Sequence, residues 1–373
     1  MISYGRQYID KKDIRSVIRA LKSDTLTIGP LISIFESKIS EVTGADCFVV
    51  SSGTAALHCA YAAIDLKPGD EIITSPITFV STAATAMHFG AKIVFCDVDP
   101  RTGNMNPDLV ESLISDRTRA ITVVDFAGHP VDLFKFRKIA DKFGLFLIED
   151  AAHSFGSKYE NILVGSIADL TIFSFFPTKN ITTAEGGAVS SSNLELLDKA
   201  RKFGRQGLVR EKDKFINLPD GPWHQEVHHI GLNYRLPDVL CSLGISQIAK
   251  IDKFKSRRNE IFDFYNESLK NISLLKLPVV EKYADPFWHL YPVRVKNRQR
   301  NALHKFLWDH DIFVQVNYVP VYHHPVFKDL GYENIFCPEA EDFYQEELSL
   351  PMHLNLSLRD LKLIVKKIIC FQE

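Results

Sequence analysis

No apolar run in this 373-residue chain approaches the ~20 residues that a membrane-spanning helix requires. The opening residues, Met1-Ile2-Ser3-Tyr4-Gly5-Arg6-Gln7, lack the apolar stretch of an export signal. Charge of one sign is also missing. The 44 Lys and Arg face 46 Asp and Glu, a net charge of -2, so electrostatics gives no reason to expect DNA, RNA or an anionic membrane as partner. Cysteine is scarce: six residues, at 47, 59, 96, 241, 337 and 370, with no C-x-x-C pair. They are expected to be reduced, mostly buried thiols of a cytoplasmic protein. The doublets His228-His229 and His323-His324 have no cysteine at ligand spacing, which argues against a metal site. Internal repeats and low-complexity segments are absent.

What is present is the composition of a soluble globular protein, 46% hydrophobic and 24% charged. The length exceeds a typical single core, so two domains are expected, 1–250 and 251–373. Between about 45 and 192, short β-branched and aromatic runs alternate with helical patterns. The strand candidates are 47–50, 71–74, 92–97, 120–124, 145–148, 171–175 and 188–190. Amphipathic stretches such as 54–64 and 131–143 lie between the first five. This rhythm predicts βαβ units in an α/β fold, with a mostly parallel sheet covered on both faces. Ligands of such sheets gather beyond the carboxyl ends of the strands. The remainder predicts a smaller α+β domain: a linking helix over 250–270, a strand at 290–295, a helix at 300–310, a strand at 312–316 and a final helix. The capping-box-like pair Ser357 and Asp360 marks the start of that last helix. The polar stretch 207–225, with Pro219, Asp220, Gly221 and Pro222, reads as an exposed loop.

The residues richest in chemistry sit at the ends of two predicted strands. Asp150 closes Leu145-Phe146-Leu147-Ile148-Glu149-Asp150. Lys179 follows Phe173-Ser174-Phe175-Phe176-Pro177-Thr178, and the turn Thr182-Thr183-Ala184-Glu185-Gly186-Gly187 comes after it. A carboxylate that keeps a pyridine nitrogen protonated and a lysine that forms a Schiff base are what pyridoxal phosphate chemistry asks of a protein. Either residue alone would mean little, since most lysines are solvated surface charges. Glu149 and Asp150 are strand neighbours, so only one of them points into a given site. The segment Ser51-Ser52-Gly53-Thr54-Ala55-Ala56-Leu57 follows a strand and opens a helix. Its glycine, hydroxyls and free N–H groups suit a phosphate, although a plain helix cap looks the same. Ser174 offers another hydroxyl. Phe79, after the second strand, is placed either to stack on a flat ring or to pack in the core. Asn233 and Arg235 stand beside a helix start, where a phosphate contact and a salt bridge are both open to them. Gly29-Pro30 reads as a turn.

In order and spacing these segments resemble the DegT/DnrJ/EryC1/StrS group of sugar aminotransferases over nearly the whole chain. The matching stretches are 51–57, 78–81, 149–153, 173–179 with 182–187, and 233–238. The resemblance implies the fold-type-I architecture of pyridoxal-phosphate-dependent aminotransferases: a large domain with a mostly parallel seven-stranded sheet, and a small α+β C-terminal domain. It implies pyridoxal 5'-phosphate as cofactor, cycling through pyridoxamine 5'-phosphate. Lys179 would be the catalytic Schiff-base lysine, and Asp150 the partner of the pyridine nitrogen. Gly53, Thr54, Ala55 through its backbone, and Ser174 would hold the phosphate. Phe79 would stack on the ring and His153 would lie beside it. Asn233 would enter the site of a partner subunit, which implies a homodimer with a nucleotide-sugar pocket at its interface. Gly29, Arg235, Tyr318 and His323 are the local candidates for that pocket.

Within the group, 78–81 and 177–187 look most like the pseudaminic acid branch, whose enzymes aminate C4 of a UDP-linked 4-keto-6-deoxy-N-acetyl hexose. Asp125 and Phe176 depart from the likeness, standing where the group often has histidine. The implied reaction moves an amino group from an amino acid, L-glutamate by expectation, to the keto carbon of a nucleotide-linked sugar for surface-glycan biosynthesis. Amination at C3 of a dTDP- or GDP-linked keto sugar is the near alternative. A pyridoxamine-dependent dehydratase is disfavoured, because that branch replaces the lysine with histidine. A cofactor-bearing regulatory protein without turnover gives an intact Asp150 and Lys179 no task. A simple nucleotide-binding module leaves Lys179 unexplained.

Overall fold

The computed structural model describes residues 1–372. At its centre lie seven strands: β1 (Asp46–Val50), β2 (Glu71–Thr74), β3 (Lys92–Phe95), β4 (Thr118–Val124), β5 (Phe146–Asp150), β6 (Leu170–Ser174) and β7 (Gly187–Ser191). Their order across the sheet is β1-β7-β6-β5-β4-β2-β3. The pairs β2-β3, β2-β4, β4-β5 and β5-β6 are parallel. Only β7 breaks the pattern, running antiparallel to both β6 and β1. The strands are buried almost throughout, which is why they read as continuous apolar runs rather than alternating ones. Alternate residues feed two separate cores. Ile72, Ile148 and Ile172 join one apolar cluster, whereas Ile73, Ile121 and Leu147 join another on the opposite face.

Helices cover both faces. Before and between the strands come α1 (Lys11–Leu21), α2 (Pro30–Thr43), α3 (Gly53–Ala63), α4 (Ser81–Met87), α5 (Leu133–Phe143) and α6 (Leu194–Gly204). Then follow α7 (Asp238–Ile248), α8 (Ile251–Leu269), α9 (Arg300–Asp309), α10 (Pro338–Glu346) and α11 (Leu358–Gln372). The C-terminal part adds a small antiparallel sheet of β8 (Leu275–Lys276), β9 (Tyr291–Val295) and β10 (Glu347–Leu350). The pair at the head of α11 forms as expected: Ser357 N–H donates to Asp360 at 2.9 Å, and Asp360 N–H donates to Ser357 Oγ at 3.2 Å.

One expected element is absent. Residues 312–316 form no strand but two isolated bridges, Ile2 with Ile312 and Gln315 with Ser349. The cause is competition from the N-terminus. Ile2 N–H donates to Asp311 O and Phe313 N–H donates to Ile2 O, so the segment divides its backbone bonds between two partners. The stretch 207–225 is largely exposed, as its composition suggested, and a short ribbon of Leu208–Val209 with Glu226–Val227 ties its two ends.

Helix α7 packs on α2 at Gly244, where an added Cβ would lie 2.3 Å from the ring of buried Phe35. Gly244→Ala should therefore destabilise the fold by about 1–3 kcal/mol through overpacking, even though alanine is the better helix former. Adding Phe35→Leu should recover part of the loss. Urea unfolding of the three proteins measures both effects, and an unshifted midpoint for Gly244→Ala would show that the ring moves aside freely.

Candidate active site

Strand register assembles the site. Val50 pairs with Gly187, Gly187 with Ser174, Ile172 with Asp150, and Asp150 with Val124. The segments that leave these strands therefore converge at one edge of the sheet, the carboxyl end of its parallel part. A cleft of about 370 Å³ opens there. Of the residues singled out in the sequence, Gly53, Thr54, Phe79, Asp150, His153, Ser174, Lys179 and Tyr318 line it.

The start of α3 forms one wall. Ser52 caps the helix, its Oγ accepting the Ala55 N–H at 3.1 Å. That contact engages the Ala55 N–H. The first-turn N–H groups of Gly53 and Thr54 remain open. A Cβ on Gly53 would lie 2.9 Å from Ser174 Cβ, and one on Gly187 would lie 2.5 Å from Ser52 O. Only glycine at both positions lets the helix start approach β6 and β7 so closely. Phe79 is 59% exposed, so it is not a core residue; its ring stands 6.2 Å from that of Tyr318.

Asp150 and Lys179 form the polar floor. Asp150 is buried, with Thr82 Oγ1 donating to Oδ2 at 2.7 Å and Ala152 N–H donating to Oδ1 at 3.2 Å. Burial lifts its carboxyl above the ordinary carboxylate range, while those two hydrogen bonds and the Lys179 charge pull it back. Lys179 is half-buried, its open side facing the cleft. Burial lowers its ammonium from 10.5 to about 8, against the opposing charge of Asp150. Glu149 turns to the other face of the sheet, where Thr171 Oγ1 donates to Oε2 at 2.9 Å and Oε1 has no partner. Its neighbour is Asp125, which accepts from Ser154 Oγ at 2.6 Å. Burial pushes Asp125 up to about 7 and raises Glu149 as well, with the Asp125 charge adding to the rise at Glu149.

Two imidazoles form the opposite wall. His153 Nε2 lies 3.1 Å from Tyr318 OH, and its ring centroid is 4.4 Å from that of His289. Burial first, then neighbouring charges including Lys179, hold both rings neutral well below the ordinary histidine range. The next residue after the lysine, Asn180, donates through Nδ2 to the carbonyls of His153, Phe155 and Phe287. Thr82, His289, Tyr4 and Asn317 were not recognised in the sequence, yet Thr82 fixes Asp150 and the other three line the cleft. The signals were faint. Thr82 follows Thr78 by four residues at a helix start, and their hydroxyls bond at 2.7 Å. His289 is a polar residue inside the apolar run 287–291.

The remaining candidates lie elsewhere. Asn233 is exposed, its backbone bridging Arg205, and it does not line the cleft of its own chain. Gly29 and Arg235 line a second cavity of about 430 Å³ together with Arg201, Arg205 and Arg210. His323 lines neither cavity, and its Nε2 pairs with Glu341 at 2.7 Å. Among the described residues there is no His, Cys, Asp and Glu cluster suited to a metal, and no helix long and apolar enough to cross a membrane.

The cleft fits a phosphorylated pyridine aldehyde. It offers an amine of lowered basicity, a buried carboxyl, an exposed aromatic ring, and a glycine-tight helix start with open N–H groups. Residues 7–369 match the DegT/DnrJ/EryC1/StrS aminotransferase family. The UDP-4-amino-4,6-dideoxy-N-acetyl-beta-L-altrosamine transaminase of Campylobacter jejuni is 38% identical, covering 98% of this chain and 96% of the relative. GDP-perosamine synthase of Escherichia coli O157:H7 is 34% identical over 86% of this chain and 88% of its own length. Among solved structures, Helicobacter pylori PseC, an aminotransferase involved in the biosynthesis of pseudoaminic acid, superposes with a TM-score of 0.93. It is 32% identical and covers 99% of this chain and 98% of that one.

The lowered Lys179 value has a direct consequence. Only the neutral amine attacks an aldehyde, and its fraction rises as pH climbs through about 8. Stopped-flow addition of pyridoxal phosphate to cofactor-free protein should show a rate rising about tenfold per pH unit below that point and levelling above it. A plateau reached only near 10 would show that burial does not depress the lysine.

Proposed function

This chain belongs to the DegT/DnrJ/EryC1/StrS aminotransferase family and is a pyridoxal-phosphate-dependent transaminase of nucleotide-sugar biosynthesis, and we propose that it carries an amino group from L-glutamate to C4 of a UDP-linked 4-keto-6-deoxy-N-acetyl hexose. The single observation supporting the chemistry is the shared cleft of Lys179 and Asp150. Support for the sugar comes from the likeness to the Campylobacter enzyme along almost the full chain.

Bound in the cleft, pyridoxal phosphate would supply an electron sink for the carbon that loses or gains a proton. On this proposal the N–H groups of Gly53 and Thr54 and the Ser174 hydroxyl grip its phosphate, and Phe79 covers its ring. Asp150, fixed by Thr82, holds a proton on the ring nitrogen. Lys179 takes a proton from the amino-acid Cα in the first half-reaction and delivers one to the sugar carbon in the second. A basicity near neutral lets one group serve as both base and acid. His153, neutral and hydrogen-bonded to Tyr318, walls the site without adding charge.

The second cavity suits the nucleotide. Arg201, Arg205, Arg210 and Arg235 face it, the first two paired with Glu36, and guanidinium groups pair well with diphosphate. In a homodimer, Asn233, Gly29 and Arg235 of one protomer complete the cleft of the other. Exposed Ile216, Leu218, Trp223 and Ile230 crowd the adjoining loop, an apolar surface that such a dimer would cover. A cytoplasmic setting accompanies this proposal. His323, engaged with Glu341, is left outside the substrate pocket. A GDP-linked 4-keto sugar is the second reading, favoured by the GDP-perosamine synthase likeness.

A turnover screen of 4-keto and 3-keto nucleotide sugars, with products identified by NMR, should give the 4-amino sugar of the UDP series. Amination at C3, or preference for a GDP substrate, would overturn the assignment. Lys179→Ala should lower multiple-turnover rates by on the order of 10²–10⁴-fold or more. A variant that still turns over at wild-type rate would remove Lys179 from the chemistry.

A further inference from the structure

Two carboxylates line the cleft, and they differ in every respect. Asp150 is buried and hydrogen-bonded on both oxygens. Glu185 is exposed, and among the described residues its carboxylate meets no hydrogen-bond or ion-pair partner.

The backbone holds Glu185 in place. Ala184, just before it, has φ 69°, a left-handed conformation that an L side chain adopts only under constraint. The constraint is visible. Thr183 N–H donates to Phe175 O at 3.0 Å and Ala184 N–H to Thr182 Oγ1 at 2.9 Å. Thr183 Oγ1 donates to Glu185 O at 2.8 Å, and Phe175 N–H donates to Gly186 O at 2.8 Å. Behind the turn, a Cβ on Gly186 would lie 2.2 Å from Thr183 Oγ1, so no side chain fits at that position. A strained, over-determined turn thus carries an unpartnered acid at the cleft.

An ionised carboxylate only accepts hydrogen bonds. The amino-acid donor brings carboxylates of its own, which Glu185 repels, and its amino group is consumed at the reacting carbon. A hexose brings hydroxyl and amide N–H donors. We propose that Glu185 is the residue that recognises the sugar, accepting hydrogen bonds from the hydroxyl beside its keto carbon or from the N-acyl group one carbon further round the ring. This rests on the reading of the cleft as a sugar aminotransferase site.

Glu185→Gln keeps the size and removes the charge. With the keto sugar that the turnover screen identifies, its KM should rise roughly tenfold or more, the effect of losing charge-assisted hydrogen bonds. Single-turnover bleaching of the cofactor band by L-glutamate should be unchanged or faster, which a merely damaged fold would not give. Calorimetry supplies a readout free of turnover: wild type should bind UDP-N-acetylglucosamine more tightly than UDP, and the variant should bind the two alike. An unchanged sugar KM, an equal loss in both half-reactions, or an undiminished preference for UDP-N-acetylglucosamine overturns the role of Glu185. Failure of wild type to aminate any keto sugar would instead overturn the function proposed above, and the binding comparison still decides the role of Glu185.

Discussion

The whole site depends on taking one amine and one carboxyl out of water within reach of each other's charge. Burial works against ionisation of both: it lowers Lys179 and lifts Asp150. Each charge then resists the change in the other. A lysine in water would stay protonated and unreactive, and a buried acid alone would be neutral and unable to hold a cation. Their shared cleft leaves both near the point where a proton can move.

The rest of the fold supplies the rigidity that this balance needs. Strand register sets Asp150 beside Ile172 and brings Gly187, Ser174 and the start of α3 to the same edge. Glycines at 53 and 187 remove the side chains that would hold those elements apart. Thr82 reaches Asp150 from α4, and Asn180 ties the lysine segment to three carbonyls. Thr82, Asn180 and the two glycines perform no chemistry themselves, but each removes a direction in which the floor of the cleft could drift.

Much of the architecture was legible in the sequence because buried parallel strands leave long apolar runs, and their ends hold the polar residues that face a ligand. Asp150, Lys179 and Gly53 stood out for that reason. What failed to show depends on distance across the fold. The segment 312–316 has a strand-like pattern, but Ile2 arrives from far away and divides its backbone bonds. Ala55 carries an open N–H in sequence terms, until Ser52 folds back and takes it. Thr82 and His289 look like ordinary helix-start and pre-strand residues, and only tertiary contact gives them a neighbour. His323 stands close to Tyr318 in the sequence, and its pairing with Glu341 from α10 appears only in the fold.

The pair Asp125 and Glu149 sits behind this machinery, joined to it where the Asp125 N–H donates to Asp150 O at 3.1 Å. Burial raises both carboxyls, and the Asp125 charge raises Glu149 further, so the back of the sheet resists carrying two charges at once. The Asp150 charge in turn raises Asp125, so the acid of the cleft and the pair behind it are linked electrostatically. Composition alone therefore does not set the charge at the heart of this protein; three acids crowded at one end of a sheet restrain one another.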